Sequence, residues 1–399
     1  MFDRKANRRF PVVFWQQNTM GKVTVFAPFG ALLTRGKKAS ISTSRLVTGI
    51  DIQPWDDDLQ EKHMKAIKVA EAFGINAPEE FVIPAGPGGE NVPEADPDFV
   101  FRERLLGDFL GHHLMTKEPL WFEGPTGSGK TSFVLQVAAR LEIPVFYTTG
   151  KNEDAFSRWV GSMGLLEGET VFNYGPLPLA MLTGGWFVVD EADLTPPDQL
   201  AEANNVLAGG NLTLDDNGGE VIKPAPGFRF IACGNTTGAD AMANASYLGT
   251  KLQNAATLSR FSFLKVPYPS AEEELKILQR VTTQLGETDL EAMVALADAA
   301  RTATENPAVN FSAAFSTRIL VRWGKFTEAF KNAAHARGVH PMFLGLAHAF
   351  TNGLPDGEVE VLYDLAQTVD TDFEDYLEQA RRKGVSPVDG PVYGGSGDE

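Results

Sequence analysis

Residues 124–131 read GPTGSGKT, preceded by the apolar run LWFE and followed by SFVLQVAARL, whose apolar residues recur at helical spacing. A strand that turns through such a segment straight into a helix is a β-loop-α unit, and units of that kind build parallel sheets covered on both faces. The segment fits G-x-x-x-x-G-K-[ST]. Its glycines let the backbone curl so that successive N–H groups converge on phosphate oxygens, and the helix N-terminus adds positive potential. Gly124, Pro125, Thr126, Gly127, Ser128, Gly129, Lys130, Thr131 and Ser132 are therefore the expected phosphate cradle. Lys130 is placed to reach the β- and γ-phosphates and Thr131 to ligate magnesium.

The rest of the chain fits this frame. With 399 residues and 43% apolar content, it can bury a sizeable core as one large domain with satellites or as two domains. No run of about eighteen apolar residues occurs, and the amino terminus MFDRKANRRFPVVF has no secretory pattern, so a cytoplasmic location is expected. The single cysteine, Cys233, excludes an internal disulfide and a thiolate-cluster zinc site. A net charge of -17 argues against general adhesion to nucleic acid or anionic membrane. Residues 1–50 depart from that balance, with nine Lys or Arg against the single acid Asp3. Such an arm could dock on an acidic partner, a nucleic acid or a neighbouring subunit, or simply be solvated.

Along the chain, residues 1 to about 60 hold short β-like runs such as KVTVFAPFG. DDLQEKHMKAIKVAEAFG, residues 57–74, has helical spacing, and the Pro- and Gly-rich stretch from Ala77 to Phe101 reads as an extended linker. Strands are expected at LWFEG, PVFYTT, WFVVD and FRFIACGN, with a helix at TSFVLQVAARL. After VPYPS the strands cease. AEEELKILQRVTTQL, DLEAMVALADAARTA, STRILVRWGKFTEAFKNAAHA and PMFLGLAHAFTNG read as helices of a second domain, and FEDYLEQARRKG as a last helix before a tail too polar to fold.

Residues 186–193, WFVVDEAD, carry Asp190 and Glu191 to a strand end, where open α/β sheets place their ligands. Asp190 can organise the magnesium hydration shell, while Glu191 can orient and deprotonate the water that attacks a γ-phosphate. FRFIACGNTTG is another buried strand with Asn235 at its tip, suited to bind both that water and the γ-phosphate. The letters DEAD do not make this an RNA helicase. Such a helicase needs a second parallel-sheet domain, a Ser-Ala-Thr element and a late Arg-rich element, none of which occurs here.

The chain resembles the AAA+ ATPases, and within them the MoxR and magnesium-chelatase group, nearest to the cobaltochelatase CobS family. The resemblance runs from about Val69 to Lys325 through VAEAFGINAPEEFVIPAGPGGENVPEADPDFVF, the phosphate loop, DAFSRWVGSMGLLEGETVFNYGPLPLAMLTGGWFVVDEAD, LAGGNLTLDDNGGEVIKPAPGFRFIACGNTTG, YLGTKLQNAATLSRF and FSTRILVRW. It implies an AAA+ fold, a parallel α/β core followed by an all-helical lid. The implied division is a basic segment of open role at 1–65, leader and linker at 66–98, the nucleotide-binding domain at 99–266, the lid at 267–352, and C-terminal helices with a flexible tail at 353–399. It implies ATP and Mg2+ as cofactors, Lys130 and Thr131 as their ligands, Asp190 and Glu191 as the catalytic acids, and Asn235 as the first sensor. Arg260, in LSRF, would be an arginine finger reaching the neighbour's nucleotide, and Arg318, in STRIL, the second sensor, with Arg322 one helical turn away able to fill that role. A finger used between subunits implies a homo-oligomeric ring, six being the usual number.

The family commonly has Asp before its finger, where this chain has Ser259, and residues 1–65 have no counterpart. In the chelatase group the ring works with a CobT-like partner bearing a von Willebrand A domain. The leading expectation is a Mg-dependent ATPase that remodels a partner or client protein. The alternatives are cobalt insertion into a corrin precursor and a nucleic-acid-stimulated ATPase gripping a phosphate backbone with the basic arm.

Overall fold

A computed structural model describes residues 24–28, 51–55, 65–151, 153–166, 169–239, 247, 249–304, 311–337 and 340–369. The basic side chains of residues 1–50, the expected helix at 373–384 and the tail after it lie outside these residues. The described residues form two compact units, one drawn from the ranges 1–96, 103–124 and 130–266, the other from 97–102, 125–129 and 267–399. Among the described residues no helix is long and apolar enough to cross a membrane.

The first unit is built on a five-stranded sheet. Its elements are β1 (Leu120–Glu123), α1 (Lys130–Arg140), β2 (Val145–Thr149), β3 (Trp186–Asp190), β4 (Arg229–Gly234) and β5 (Ser262–Lys265). The spatial order is β5-β1-β4-β3-β2, every neighbouring pair parallel. Trp121, Phe122, Phe187, Val188, Val189, Phe230, Ile231 and Ala232 are buried, the continuous apolar runs expected of parallel strands covered on both faces. Because β4 inserts between β1 and β3, the residues following these three strands emerge side by side at one sheet edge. Open α/β sheets bind ligands at such an inversion of strand order.

The AAA+ arrangement inferred from the sequence is thus present, with three differences in detail. The edge strand β5 is an addition, too short and too polar at both ends, Ser262 and Lys265, for the sequence to declare it, and pairing with β1 defines it. Of the helix expected over residues 57–74, residues 57–64 lie outside the described residues, and within the rest Val69–Phe73 is helical. Ala66–Lys68 is instead a strand, antiparallel to Val82–Pro84, with Ile67 buried opposite Ile83. Two β-branched residues that face each other across a ladder gain more than either would on an isolated helical turn. The expected linker is extended but built in. The Gly88 amide donates to the Glu142 carbonyl at 2.8 Å and the Val145 amide to the Asn91 carbonyl at 2.8 Å, so this leader binds the chain around β2.

Two antiparallel hairpins, Gly161–Leu166 with Glu169–Tyr174 and Leu212–Leu214 with Glu220–Ile222, interrupt the α/β alternation. Thr24–Pro28 and Asp51–Trp55 pair in parallel, which accounts for the β-like run near the amino terminus.

The second unit is helical: α2 (Ala271–Val281), α3 (Glu287–Thr304), α4 (Thr317–Ala329), α5 (Pro341–Ala349) and α6 (Asp356–Val369). Ser270 starts α2 with a capping box, its hydroxyl accepting from the Glu273 amide at 3.3 Å while Glu273 returns a carboxylate to the Ser270 amide at 2.9 Å. Leu278, Leu296, Trp323, Leu346 and Leu362, one from each helix, meet in its core. Buried Trp323 satisfies its indole N–H on the Met342 carbonyl at 2.8 Å, tying α4 to the start of α5.

Candidate functional site

In the first unit, Lys130 opens α1 with its ammonium buried. Nζ donates to the Gly124 carbonyl at 2.7 Å and to Asn235 Oδ1 at 3.1 Å, so β1 and β4 both converge on it. One residue on, the Thr131 hydroxyl donates to Asp190 Oδ1 at 2.9 Å, joining α1 to the tip of β3. The same carboxylate oxygen accepts the Glu191 amide at 3.0 Å, and Oδ2 accepts the Tyr147 hydroxyl at 2.7 Å. Burial, followed by that bond to Asp190, pushes the Tyr147 phenol above its ordinary pKa.

Glu191 has φ 49° and ψ 40°, a left-handed conformation that costs a glutamate energy and is held here by its surroundings. Part of the constraint is Gly150, whose amide donates to the Asp190 carbonyl at 2.8 Å. A β-carbon there would come within 2.6 Å of the Glu191 carbonyl oxygen and 2.2 Å of Thr195 Oγ1, so only glycine lets the strand end pass so close. The Thr149 hydroxyl lies 3.4 Å from Glu191 Oε2.

Asp193, the last letter of the DEAD string, is fully buried. Its Oδ2 accepts the amides of Asn235 at 2.9 Å and Thr236 at 3.0 Å, fixing the turn that presents the Asn235 side chain to Lys130. Burial raises its carboxyl above the usual range, against the lowering effect of those amides. Beneath the same turn Cys233 is buried, and burial together with the nearby Asp190 charge pushes its thiol up to about 12.

Arg260 follows the short helix Ala255–Leu258, which Asn254 caps by accepting the Ala256 amide at 2.9 Å. Its guanidinium folds back onto the Ala256 carbonyl, the acceptor that Ser259 Oγ also uses at 2.8 Å. Ser259 therefore does not aim the arginine as an aspartate would. Among the described residues no ion pair joins Arg260 to an acid.

In the second unit, Gly127 has φ 71°, and a β-carbon on it would come within 2.5 Å of the Ser316 side chain. The loop thus rests against the N-terminus of α4, with Arg318 Cβ 3.5 Å from that same point. Arg318 and Arg322 are both exposed. Ser128 is buried with no hydrogen-bond partner for its hydroxyl. The Thr126 carbonyl accepts the Tyr268 hydroxyl at 3.0 Å. Tyr268 in turn lies under the Arg301 guanidinium, 4.3 Å from ring centroid to Cζ.

The structure brings together Lys130, Thr131, Asp190, Glu191 and Asn235 in one unit, and Gly127 and Arg318 in the other. Tyr147 and Asp193 are additions that sequence reasoning missed. Nothing in the sequence says that β2 lies beside β3, and Asp193 reads as one more acid in a polar turn.

Comparison with known proteins gives two domain families. The AAA domain (dynein-related subfamily) matches residues 119–261, and the CbbQ/NirQ/NorQ C-terminal family matches residues 274–349. Aerobic cobaltochelatase subunit CobS of Sinorhizobium sp is 30% identical over 293 residues, covering 70% of this chain and 86% of that protein. Protein NorQ of Paracoccus denitrificans is 28% identical over 189 residues, covering 47% of this chain and 64% of NorQ. Among solved structures, the Thermotoga maritima RuvB Holliday junction branch migration motor aligns with a TM-score of 0.40 at 15% identity, covering 74% of this chain and 86% of that one.

Proposed function

The chain belongs to the AAA+ ATPases of the CobS and MoxR type, and from that premise we propose that it couples Mg-dependent ATP hydrolysis, in a ring of identical subunits, to remodelling of a partner or client protein. Nucleotide binding and ATPase activity come with the family. The particular residues, the metal, the ring and the client are our reading.

The observation that carries this reading is the convergence on one sheet edge of Lys130, Thr131, Asp190, Glu191 and Asn235, each held by a named partner. Among the bonds of the Lys130 ammonium are those to the neutral oxygens of Gly124 and Asn235, which an anionic phosphate would outcompete because it adds the attraction of opposite charges. Ser128 carries a buried hydroxyl lacking a partner in the loop itself, a donor that suits a phosphate oxygen. A hydroxyl and a carboxylate, Thr131 and Asp190, are the small hard-oxygen set that magnesium takes when substrate phosphates supply other ligands. Bound there, magnesium would neutralise charge on the β- and γ-phosphates.

In this reading Glu191 takes a proton from the attacking water, whose oxygen forms the new bond to the γ-phosphorus as the bond to the ADP oxygen breaks. Asn235 holds that water against the γ-phosphate. Arg260, paired with no acid among the described residues, serves a neighbour's nucleotide, and Arg318 responds to nucleotide from the start of α4.

Glu191→Gln tests the assignment. It should bind ATP with unchanged affinity while losing hydrolysis by at least about a hundredfold, the least a positioned base contributes. Retained turnover in a phosphate-release assay would remove Glu191 from its role. The likeness to CobS supports a second, narrower reading, an ATPase subunit acting with a von Willebrand A partner in cobalt insertion. Because the chain is similar to NorQ as well as to CobS, the broader reading is kept as the first.

A further inference from the structure

We propose that Tyr147 is a positioning residue for Asp190, its hydroxyl holding the carboxylate in the orientation that orders a magnesium ion on Thr131. This rests on the reading of Asp190 as the magnesium-organising acid.

A carboxylate on a short side chain has two torsions, and one hydrogen bond cannot fix both. Here Oδ1 takes the Thr131 hydroxyl at 2.9 Å and the Glu191 amide at 3.0 Å, leaving rotation about that anchor open. The Tyr147 hydroxyl at 2.7 Å closes it from the other side through Oδ2. The reach follows from register. On β2, Thr149 stands opposite Asp190 and Tyr147 opposite Val188, so a side chain as long as tyrosine, leaning along its strand, is what spans two residues to the carboxylate.

Packing does not explain this tyrosine. Its side chain is about half exposed, at 51%, on the wall of an open cleft of about 330 Å³ that it shares with Glu90, Pro93, Thr131 and Leu135. An aromatic ring that leaves half its surface in water contributes little to the core. Its hydroxyl is the part with a defined task.

Tyr147→Phe keeps the ring and removes only that donor. The readout is the affinity of a fluorescent, non-hydrolysable ATP analogue, measured once with Mg2+ and once with EDTA, so that the ratio isolates what the metal contributes. Residues that support a metal ligand are typically worth tenfold to a hundredfold in metal affinity. The ratio should therefore fall about tenfold in Tyr147→Phe, with affinity in EDTA unchanged and the melting temperature within a few degrees of the parent. Asp190→Asn, measured alongside, should abolish the Mg2+ effect. If Asp190→Asn abolishes it and Tyr147→Phe leaves the ratio intact, Tyr147 has no positioning role. Equal weakening of binding by Tyr147→Phe with and without Mg2+ would overturn the proposal in the same way. If Asp190→Asn itself keeps the full Mg2+ effect, the reading of Asp190 is wrong and this proposal goes with it.

Discussion

Two polar clusters in this molecule solve the problem of burying charge in opposite ways. In the helical unit, Glu274 is 1% exposed and takes two N–H donors from Arg301 at 2.9 and 2.8 Å and the Thr317 hydroxyl at 2.6 Å. Arg301 also donates to the Phe315 carbonyl at 2.8 Å and lies over the Tyr268 ring. These partners are fixed, and they bind α2, α3 and the start of α4 together. At the edge of the sheet, Lys130 instead leans on a backbone carbonyl and an amide oxygen, while Asp190 is reached by hydroxyls. The difference teaches that the charge in the helical unit is matched with its opposite by fixed bonds, whereas the bonds of the cation at the sheet edge include neutral oxygens, which an anion could displace.

That contrast can be broken at either end. Arg301→Met leaves Glu274 buried without its cation, which should cost about 3–5 kcal/mol in the urea unfolding of the helical unit, while the double change Glu274→Leu with Arg301→Met should recover most of it. A single change costing less than about 1 kcal/mol would erase the distinction. Lys130→Ala should be the reverse case. Unfolding free energy should move less than binding does, whereas ATP affinity by calorimetry should fall by a hundredfold or so, about 3 kcal/mol at the upper end for bonds to charged groups. Unaltered ATP binding by that variant would count against the phosphate-loop assignment.

The sequence made the phosphate loop, the acidic pair, the Asn-tipped strand and the four main lid helices legible, since each depends on local pattern: glycine spacing, an apolar run ending in a polar tip, or a 3.6-residue period. What it concealed depends on pairing. β5 exists because Ser262–Lys265 lies beside β1, and residues 66–68 leave the helical pattern because Ile67 faces Ile83. Tyr147 meets Asp190 only because late β4 inserts beside β1 and leaves β3 next to β2, an order no single segment encodes. Asp193 was concealed for another reason: a fully buried aspartate bonded to two backbone amides looks, as a letter, like any surface acid.

One buried atom makes the site's integrity measurable without nucleotide chemistry. Cys233 is the chain's single thiol, lies in β4 directly under Asn235, and is pushed up to about 12. Buried and held protonated at neutral pH, it should be passed over by alkylating reagents in the native chain and marked only when the sheet parts at that strand. Labelling rate by mass spectrometry therefore clocks the opening of this end of the sheet, and any ligand that braces it should slow the reaction.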